Sequence, residues 1–96
     1  MPSYLTRAQR RLLVTHFTPE EVCKKDVNDL YRTARGNFVR ASAQHNRSGI
    51  FWYGEAVKAQ GRLADRARSC GLGQRAARMM LILEKRRRAF LDRWFA

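Results

Sequence analysis

The chain has 96 residues, and 20 Lys and Arg face 8 Asp and Glu, for a formal net charge of +12. This length allows one small domain with a modest core, which excludes a multidomain enzyme. The charge favours an acidic partner, and three classes fit: nucleic acid, an anionic membrane surface or an acidic protein. The longest purely apolar run, residues 79–83, is far short of the roughly 20 residues that a membrane span needs.

The first predicted element is a short helix over residues 5–16, with Thr6 as its N-cap. Residues 1–17 form a basic amphipathic segment that contains Arg7, Arg10 and Arg11 and no acidic residue. Such a segment has the character of a mitochondrial import signal, and an ordinary basic surface helix has the same character. Both interpretations stay open. Residues 18–96 are predicted to form the main domain.

A second helix is predicted from residue 19 to about residue 43. Its start signal is Thr18-Pro19-Glu20-Glu21, in which Thr18 caps, Pro19 suits the first helical position and Glu21 completes a capping box. Apolar positions then recur at three- and four-residue steps, which predicts one buried face. They are Cys23, Val27, Leu30, Ala34, Phe38 and Ala41.

A third helix is predicted over residues 50–69, after a polar turn in which Ser48 is the expected cap. Its buried face is expected to use Phe51, Gly54, Val57, Gly61, Ala64 and Ala67. Gly71 is expected to end this helix in the left-handed conformation. A fourth helix, residues 74–94, carries the basic block 85–88. Together these elements predict an all-α fold: a three-helix antiparallel up-down bundle with an additional short N-terminal helix.

Catalysis and metal binding find little support in this sequence. The GxSxG, Walker, HExxH and GxGxxG motifs are all missing, and the carboxylates, such as Asp26 and Asp29, fit solvated surface pairs better than acid–base groups. Cys23 and Cys70 show no metal-ligand spacing and are expected to be two reduced, half-buried thiols. The sequence therefore predicts a binding protein that is not an enzyme and holds no metal.

The tripeptide Leu30-Tyr31-Arg32 is the sharpest motif. It lies on the first long predicted helix, and a polar turn, a second long helix, a short turn and a third long helix follow it. This order resembles the LYR-motif family of small, basic mitochondrial three-helix proteins. The opening residues 3–6 also resemble the start of a LYR-type accessory subunit of respiratory complex I.

The resemblance implies a partner and two sets of site residues. LYR-type proteins bind the acidic mitochondrial acyl carrier protein, whose acyl-phosphopantetheine inserts between the three helices; no cofactor is bound directly. The implied partner-binding residues are Leu30, Tyr31, Arg32, Arg35, Lys58, Arg62 and Arg66. The implied acyl-channel residues are Ala34, Phe51, Val57, Gly61, Ala64, Ala77 and Met80.

Two departures leave the subgroup open. The family usually has a Phe on its second helix near the position of Gly61 or Leu63, whereas this chain has Phe51, ten residues before Gly61. The motif also follows an extra N-terminal helix.

The resemblance implies an accessory subunit or assembly component of a respiratory complex, with complex I as first choice, on the matrix side and peripheral to the inner membrane. Other subunits of that complex would be further partners. The alternative is a basic RNA-contacting protein, such as a mitochondrial ribosomal subunit. In that reading the Arg-rich C-terminal half contacts phosphates, and the aromatic triplet Phe51-Trp52-Tyr53 stacks on bases.

Overall fold

The computed structural model describes residues 6–9, 18–44 and 46–95. Three long helices pack together in this part of the chain: α1 (Pro19–Ser42), α2 (Arg47–Ser69) and α3 (Gly73–Trp94). Residues 7–9 are also helical, and no β-strand occurs among the described residues. The all-α class is therefore confirmed.

The first predicted helix is visible only at its start. The Thr6 hydroxyl accepts a hydrogen bond from the Gln9 amide (3.2 Å), and the Gln9 side-chain oxygen accepts one from the Thr6 amide (3.0 Å). This reciprocal pair is a capping box, so Thr6 is the N-cap, as predicted. The rest of the predicted helix, to residue 16, lies outside the described residues.

Helix α1 begins where the sequence predicts. The Thr18 hydroxyl accepts a hydrogen bond from the Glu21 amide (3.2 Å), Pro19 is the first helical residue, and both glutamates lie in the first turn. All six predicted stripe residues are buried. The stripe works because 3.6 residues per turn bring these positions onto one face, which then packs against the other two helices.

Helix α2 begins earlier than predicted, at Arg47, and its cap is Asn46. The Asn46 side chain accepts hydrogen bonds from the amides of Ser48 (3.0 Å) and Gly49 (3.3 Å), so the prediction of Ser48 as the cap is wrong. Gly49 is buried against the end of α1, where a Cβ would collide with the carbonyl oxygen of Gln44. The tight α1–α2 turn therefore needs glycine at this position.

The α2–α3 turn is the one predicted. Gly71 has φ +72°, a conformation that glycine adopts without the steric cost other residues bear. The Leu72 amide donates to the Ala67 carbonyl (2.8 Å) and the Gly71 amide to that of Arg68 (3.3 Å). These two bonds form a Schellman motif, which satisfies the last carbonyls of α2. The Leu72 side chain packs against the core.

The core lies between the three helices, and its largest fully buried side chains are Phe38, Leu30, Leu63, Leu83 and Val27. Burying each one contributes about 1.5–3 kcal/mol. The start of α1 lies beside the end of α2, where Asp26 meets Arg66 at 3.0 Å. The end of α1 lies beside the start of α2, where the rings of Phe38 and Tyr53 meet edge to face with centroids 6.0 Å apart.

The face that α2 buries differs from the prediction. The buried residues are Gly49, Ala56, Ala59, Gln60, Leu63 and Ala67. Of the predicted face only Ala67 is buried, while Phe51 and Gly61 are exposed. At about 100° per residue, the predicted face is centred about 120° around α2 from the buried one. Gly54, Gly61 and Ala64 extend the small-residue surface beyond the buried face, so small or apolar character alone did not mark where that face ends.

The two cysteines form a disulfide, which corrects the expectation of two reduced thiols. Cys23 and Cys70 are bonded, their Cα atoms are 6.4 Å apart, and no cysteine is left free. Cys23 is buried and Cys70 is half-buried. The bond joins the first part of α1 to the α2–α3 turn. The sequence separation of 47 residues concealed it, because only the packing of α1 on α2 brings the sulfur atoms together.

None of the described helices combines the length and the apolar character needed to cross a membrane.

Candidate protein-docking surface

The three residues of the Leu30-Tyr31-Arg32 motif have different environments. Leu30 is only 2% exposed and belongs to the core. Tyr31 is half-buried and packs against the same core, whereas Arg32 is exposed. On a helix these three consecutive positions point in directions about 100° apart, so anchoring Leu30 in the core turns Arg32 towards solvent. The motif therefore exposes the Arg32 guanidinium on a helix that Leu30 anchors in the core.

Arg32 lies in a surface groove of about 410 Å³. The described residues that line it are Glu21, Val22, Lys24, Lys25, Asn28, Asp29, Arg32 and Arg75. Four of these are basic and two are acidic, and the Lys25 ammonium is 3.9 Å from the Asp29 carboxylate. The groove is cationic and can accept a carboxylate or a phosphate group. Arg75 was not predicted here, because it comes from the start of α3, far away in sequence.

The other predicted partner-binding cations are spread over the surface. Arg35, Lys58 and Arg62 are exposed, and Lys58 pairs with Glu55 at 3.3 Å. Neither Lys58 nor Arg62 is among the described residues that line the Arg32 groove. The structure therefore brings Arg32 together with Arg75 rather than with the α2 cations.

Arg66 has an internal role. Its Nε donates to the Asp26 carboxylate at 3.0 Å, and Asp26 is buried. Asp29 is buried as well, so the expectation that these two carboxylates are solvated surface groups is wrong. Both carboxylates lie beside the apolar stripe of α1. Packing against the neighbouring helix buries them, and the sequence pattern of α1 alone does not predict this. A buried carboxylate needs such a partner, because desolvation without one is costly.

The predicted acyl-channel residues do not enclose an interior channel. Ala34 is fully buried in the core, and Val57, Ala64 and Met80 are half-buried. Phe51 (57% exposed), Gly61 and Ala77 face solvent. With three of the seven positions exposed, these residues do not line an enclosed channel in the described part of the chain. The cause is the rotation of α2, which leaves Phe51 and Gly61 exposed.

Several of these residues instead border one polar contact between α2 and α3. The Gln60 amide donates to the Glu84 carboxylate at 2.8 Å. Helical spacing of three, four and seven residues puts Val57 and Ala64 on the side of Gln60, and Met80 and Ala77 on the side of Glu84. We call the set Val57, Gly61, Ala64, Ala77 and Met80 the α2–α3 seam. It is an open, half-exposed stripe of small and flexible apolar side chains.

The polar contact beneath the seam was missed by sequence reasoning. Gln60 is 5% exposed, and its side-chain oxygen has no hydrogen-bond partner among the described residues. The Arg87 guanidinium donates to the Tyr53 hydroxyl at 3.0 Å and lies 3.7 Å from Glu84. The available signal was a Gln at helical spacing from Ala56 and Leu63, on a face whose other residues are apolar.

The aromatic triplet does not form one platform. Tyr53 stacks on Phe90 with centroids 4.7 Å apart, inside the bundle. Trp52 is half-buried, and the Arg40 guanidinium lies 4.8 Å from its ring centroid. Phe51 alone is largely exposed. The triplet therefore offers one open ring rather than the three that stacking on successive bases would use.

No group of three or more His, Cys, Asp or Glu side chains among the described residues is placed to hold a metal ion. Comparison with protein-family models, with curated proteins and with solved structures finds no match for this chain.

Proposed function

We propose that the chain is a non-catalytic LYR-type protein that binds the acylated mitochondrial acyl carrier protein. It would serve as an accessory subunit or assembly component of a respiratory complex, with complex I as first choice. The observation that supports this most directly is Arg32, held exposed in a cationic groove by the buried Leu30 of the same motif. Three long helices in an antiparallel up-down arrangement are the scaffold of the proposal.

Electrostatics would bring the carrier to this surface. A net charge of +12 steers an acidic protein towards the chain, and complementary charges raise the association rate. Arg32 and Arg75 would then meet carboxylates or the phosphate of the phosphopantetheine arm. Arg is suited to both groups, because its planar fork makes paired hydrogen bonds.

The acyl chain would lie along the open α2–α3 seam rather than in a closed channel. Burial of apolar surface contributes about 0.8 kcal/mol per CH₂ before ordering costs. Gly61 leaves room there, since a Cβ at this position would meet nothing within 4 Å. The seam thus supplies the apolar part of the interaction, and the Arg32 groove supplies the charged part.

The cellular location follows from the same resemblance: the matrix side of the inner membrane, peripheral to a large complex. The Cys23–Cys70 disulfide favours an oxidising compartment and so stands against a location in which thiols are kept reduced. The redox state of the pair in protein trapped directly from mitochondria therefore tests the assignment.

Calorimetric titration with acylated carrier and with carrier that lacks its phosphopantetheine arm tests the function. The original chain should bind the acylated form at least tenfold more tightly, since the two forms carry nearly the same surface charge and differ in apolar burial. Gly61→Leu should remove this preference, whereas Gly36→Leu, an equally open helical glycine on α1, should keep it. Equal affinity of the original chain for both carrier forms would contradict the acyl-binding proposal.

The same titration tests the motif. Arg32→Glu should weaken binding to both carrier forms by tenfold or more, because it puts like charges face to face. Arg62→Glu changes the net charge equally on the outside of α2 and is the matched control. Equal losses in the two variants would mean that total charge, rather than the motif, drives the association.

RNA contact is the second candidate, and the exposed basic residues of α3 favour it. Within the aromatic triplet Phe51 alone is open for stacking, so phosphate contacts would have to dominate, and binding would fall steeply with salt. Carrier binding should persist at high salt through its apolar part.

A further inference from the structure

The outward side of α3 combines exposed cations with exposed aliphatic side chains. Leu81 is 64% exposed and Ile82 is 43% exposed, in the middle of the helix. The exposed basic residues around them are Arg75, Arg78, Lys85 and Arg88. We call these six residues the α3 outer face. Isolated exposed apolar residues are ordinary, but two adjacent ones inside a cationic surface are a candidate interaction site.

Helical spacing places these residues together. Arg78, Leu81, Lys85 and Arg88 follow each other at steps of three and four residues, so they form one stripe with Leu81 between two cations. Arg75 and Ile82 are seven residues apart and form the adjacent stripe. The opposite side of α3 carries its buried residues Ala76, Leu83 and Phe90.

Three cations of this face are not neutralised by the described part of the chain. Among the described residues, the ion pair of α3 is Arg87 with Glu84, on the side towards α2. Arg78, Lys85 and Arg88 take part in no ion pair in the described part of the chain. The α3 outer face therefore presents concentrated positive charge to any partner.

We propose that the α3 outer face binds an anionic lipid surface, with α3 lying parallel to the membrane plane. Basic side chains near an anionic bilayer attract its headgroups, and Leu81 and Ile82 would enter the boundary between headgroups and acyl chains. The helix has 22 residues, about 33 Å at 1.5 Å per residue, which is long enough to lay three turns of this face on the surface. The interaction is peripheral and leaves the bundle intact.

Leu81 and Ile82 favour an anionic lipid surface over RNA as the partner. RNA phosphates would use the cations but would leave Leu81 and Ile82 in water, and α3 has no exposed ring among these six residues for a base to stack on. A fluid lipid surface uses both kinds of side chain, because phosphates and acyl chains lie within a few ångströms of each other. This inference shares only Arg75 with the Arg32 groove; the other five residues of the α3 outer face take no part in the proposed carrier binding.

Vesicle flotation tests the inference with the full chain. Phosphatidylcholine vesicles that contain phosphatidylglycerol should bind the protein, and pure phosphatidylcholine vesicles should not. Arg78→Gln with Lys85→Gln should weaken binding about thirtyfold, by the usual contribution of two basic residues near a membrane surface. Lys58→Gln with Arg62→Gln removes the same charge from α2 and should weaken binding only a few-fold.

The aliphatic pair is tested separately. Leu81→Ser with Ile82→Ser should reduce binding about tenfold and remove the part that survives high salt, because apolar insertion is insensitive to ionic screening. Circular dichroism of each variant checks that the helices are retained; Leu81 and Ile82 lie outside the buried core. Equal losses in the two charge variants, or full binding without the aliphatic pair, would overturn the inference. Single-stranded RNA can also be tested as a competitor of the vesicles. If its binding needs Arg78 and Lys85 but not Leu81 and Ile82, the surface is an RNA-binding surface.

Discussion

Residues of the same type have different structural roles in this chain. Arg66 and Arg62 are one helical turn apart on α2, yet Arg66 bonds the buried Asp26 at 3.0 Å while Arg62 faces solvent. Glycines differ in the same way. Gly36 lies on the open side of α1 with nothing within 4 Å of a Cβ, while Gly49 lies against the backbone of the preceding turn. At this scale the role of a residue depends on the atoms packed around it, and these cannot be inferred from the residue type.

Replacing Gly49 with Ala should destabilise the protein by about 1–3 kcal/mol, as overpacking at a tight contact does. The new Cβ would collide with the Gln44 carbonyl oxygen, and backbone cannot move aside as a flexible side chain can. Gly36→Ala is the matched control and should stabilise by about 0.5–1 kcal/mol, because Ala is the better helix former. Chemical denaturation measures both, and equal effects would contradict the tight turn.

At the scale of the helices, the rotation of α2 decides which residues form the core and which form the surface. The buried side carries Leu63, whereas Gly61 and Phe51 are exposed. This rotation converts an expected enclosed channel into an open α2–α3 seam. It also leaves Lys58 and Arg62 exposed, facing away from the core and outside the Arg32 groove.

The substitution Leu63→Ala tests which face of α2 is buried. Leu63 is fully buried, so the substitution should cost about 2–5 kcal/mol, the range for large-to-small changes in a core. Leu81→Ala makes the same chemical change on the exposed side of α3 and should stay within about 0.5 kcal/mol. Denaturant midpoints of the two variants give the comparison. A costless Leu63→Ala would mean that α2 packs with a different face.

For the molecule as a whole, the disulfide is the longest-range covalent link. It joins Cys23 near the start of α1 to Cys70 in the α2–α3 turn, across 47 residues of sequence. It closes a loop that contains most of α1 and all of α2. The bond therefore holds in place the end of the bundle at which Arg75 approaches the Arg32 groove.

Reduction should lower the free energy of unfolding by about 4 kcal/mol, the chain-entropy contribution of a loop of this length. Thermal unfolding with and without a reductant measures the effect, and Cys70→Ser should be equally destabilised and no longer respond to reductant. Unchanged stability on complete reduction, verified by thiol labelling, would show that packing alone holds α1 to the α2–α3 turn.

Four features could be predicted from neighbouring residues alone: the helical class, the N-caps Thr6 and Thr18, the α1 stripe and the Gly71 turn. These features depend on groups within one or two helical turns, so their physical causes lie in adjacent residues. The exposure of Arg32 followed for the same reason, because the strong α1 stripe defines which side of that helix is buried.

Four features depend on packing between helices: the buried face of α2, the burial of Asp26, the Cys23–Cys70 bond and the approach of Arg75 to Arg32. Each of these joins residues tens of positions apart. Small residues extend beyond the buried face of α2, so the pattern of that helix alone did not fix its rotation. The choice came from packing Leu63 and Tyr53 against the strongly patterned α1 stripe, whose side chains gain most from burial in that arrangement.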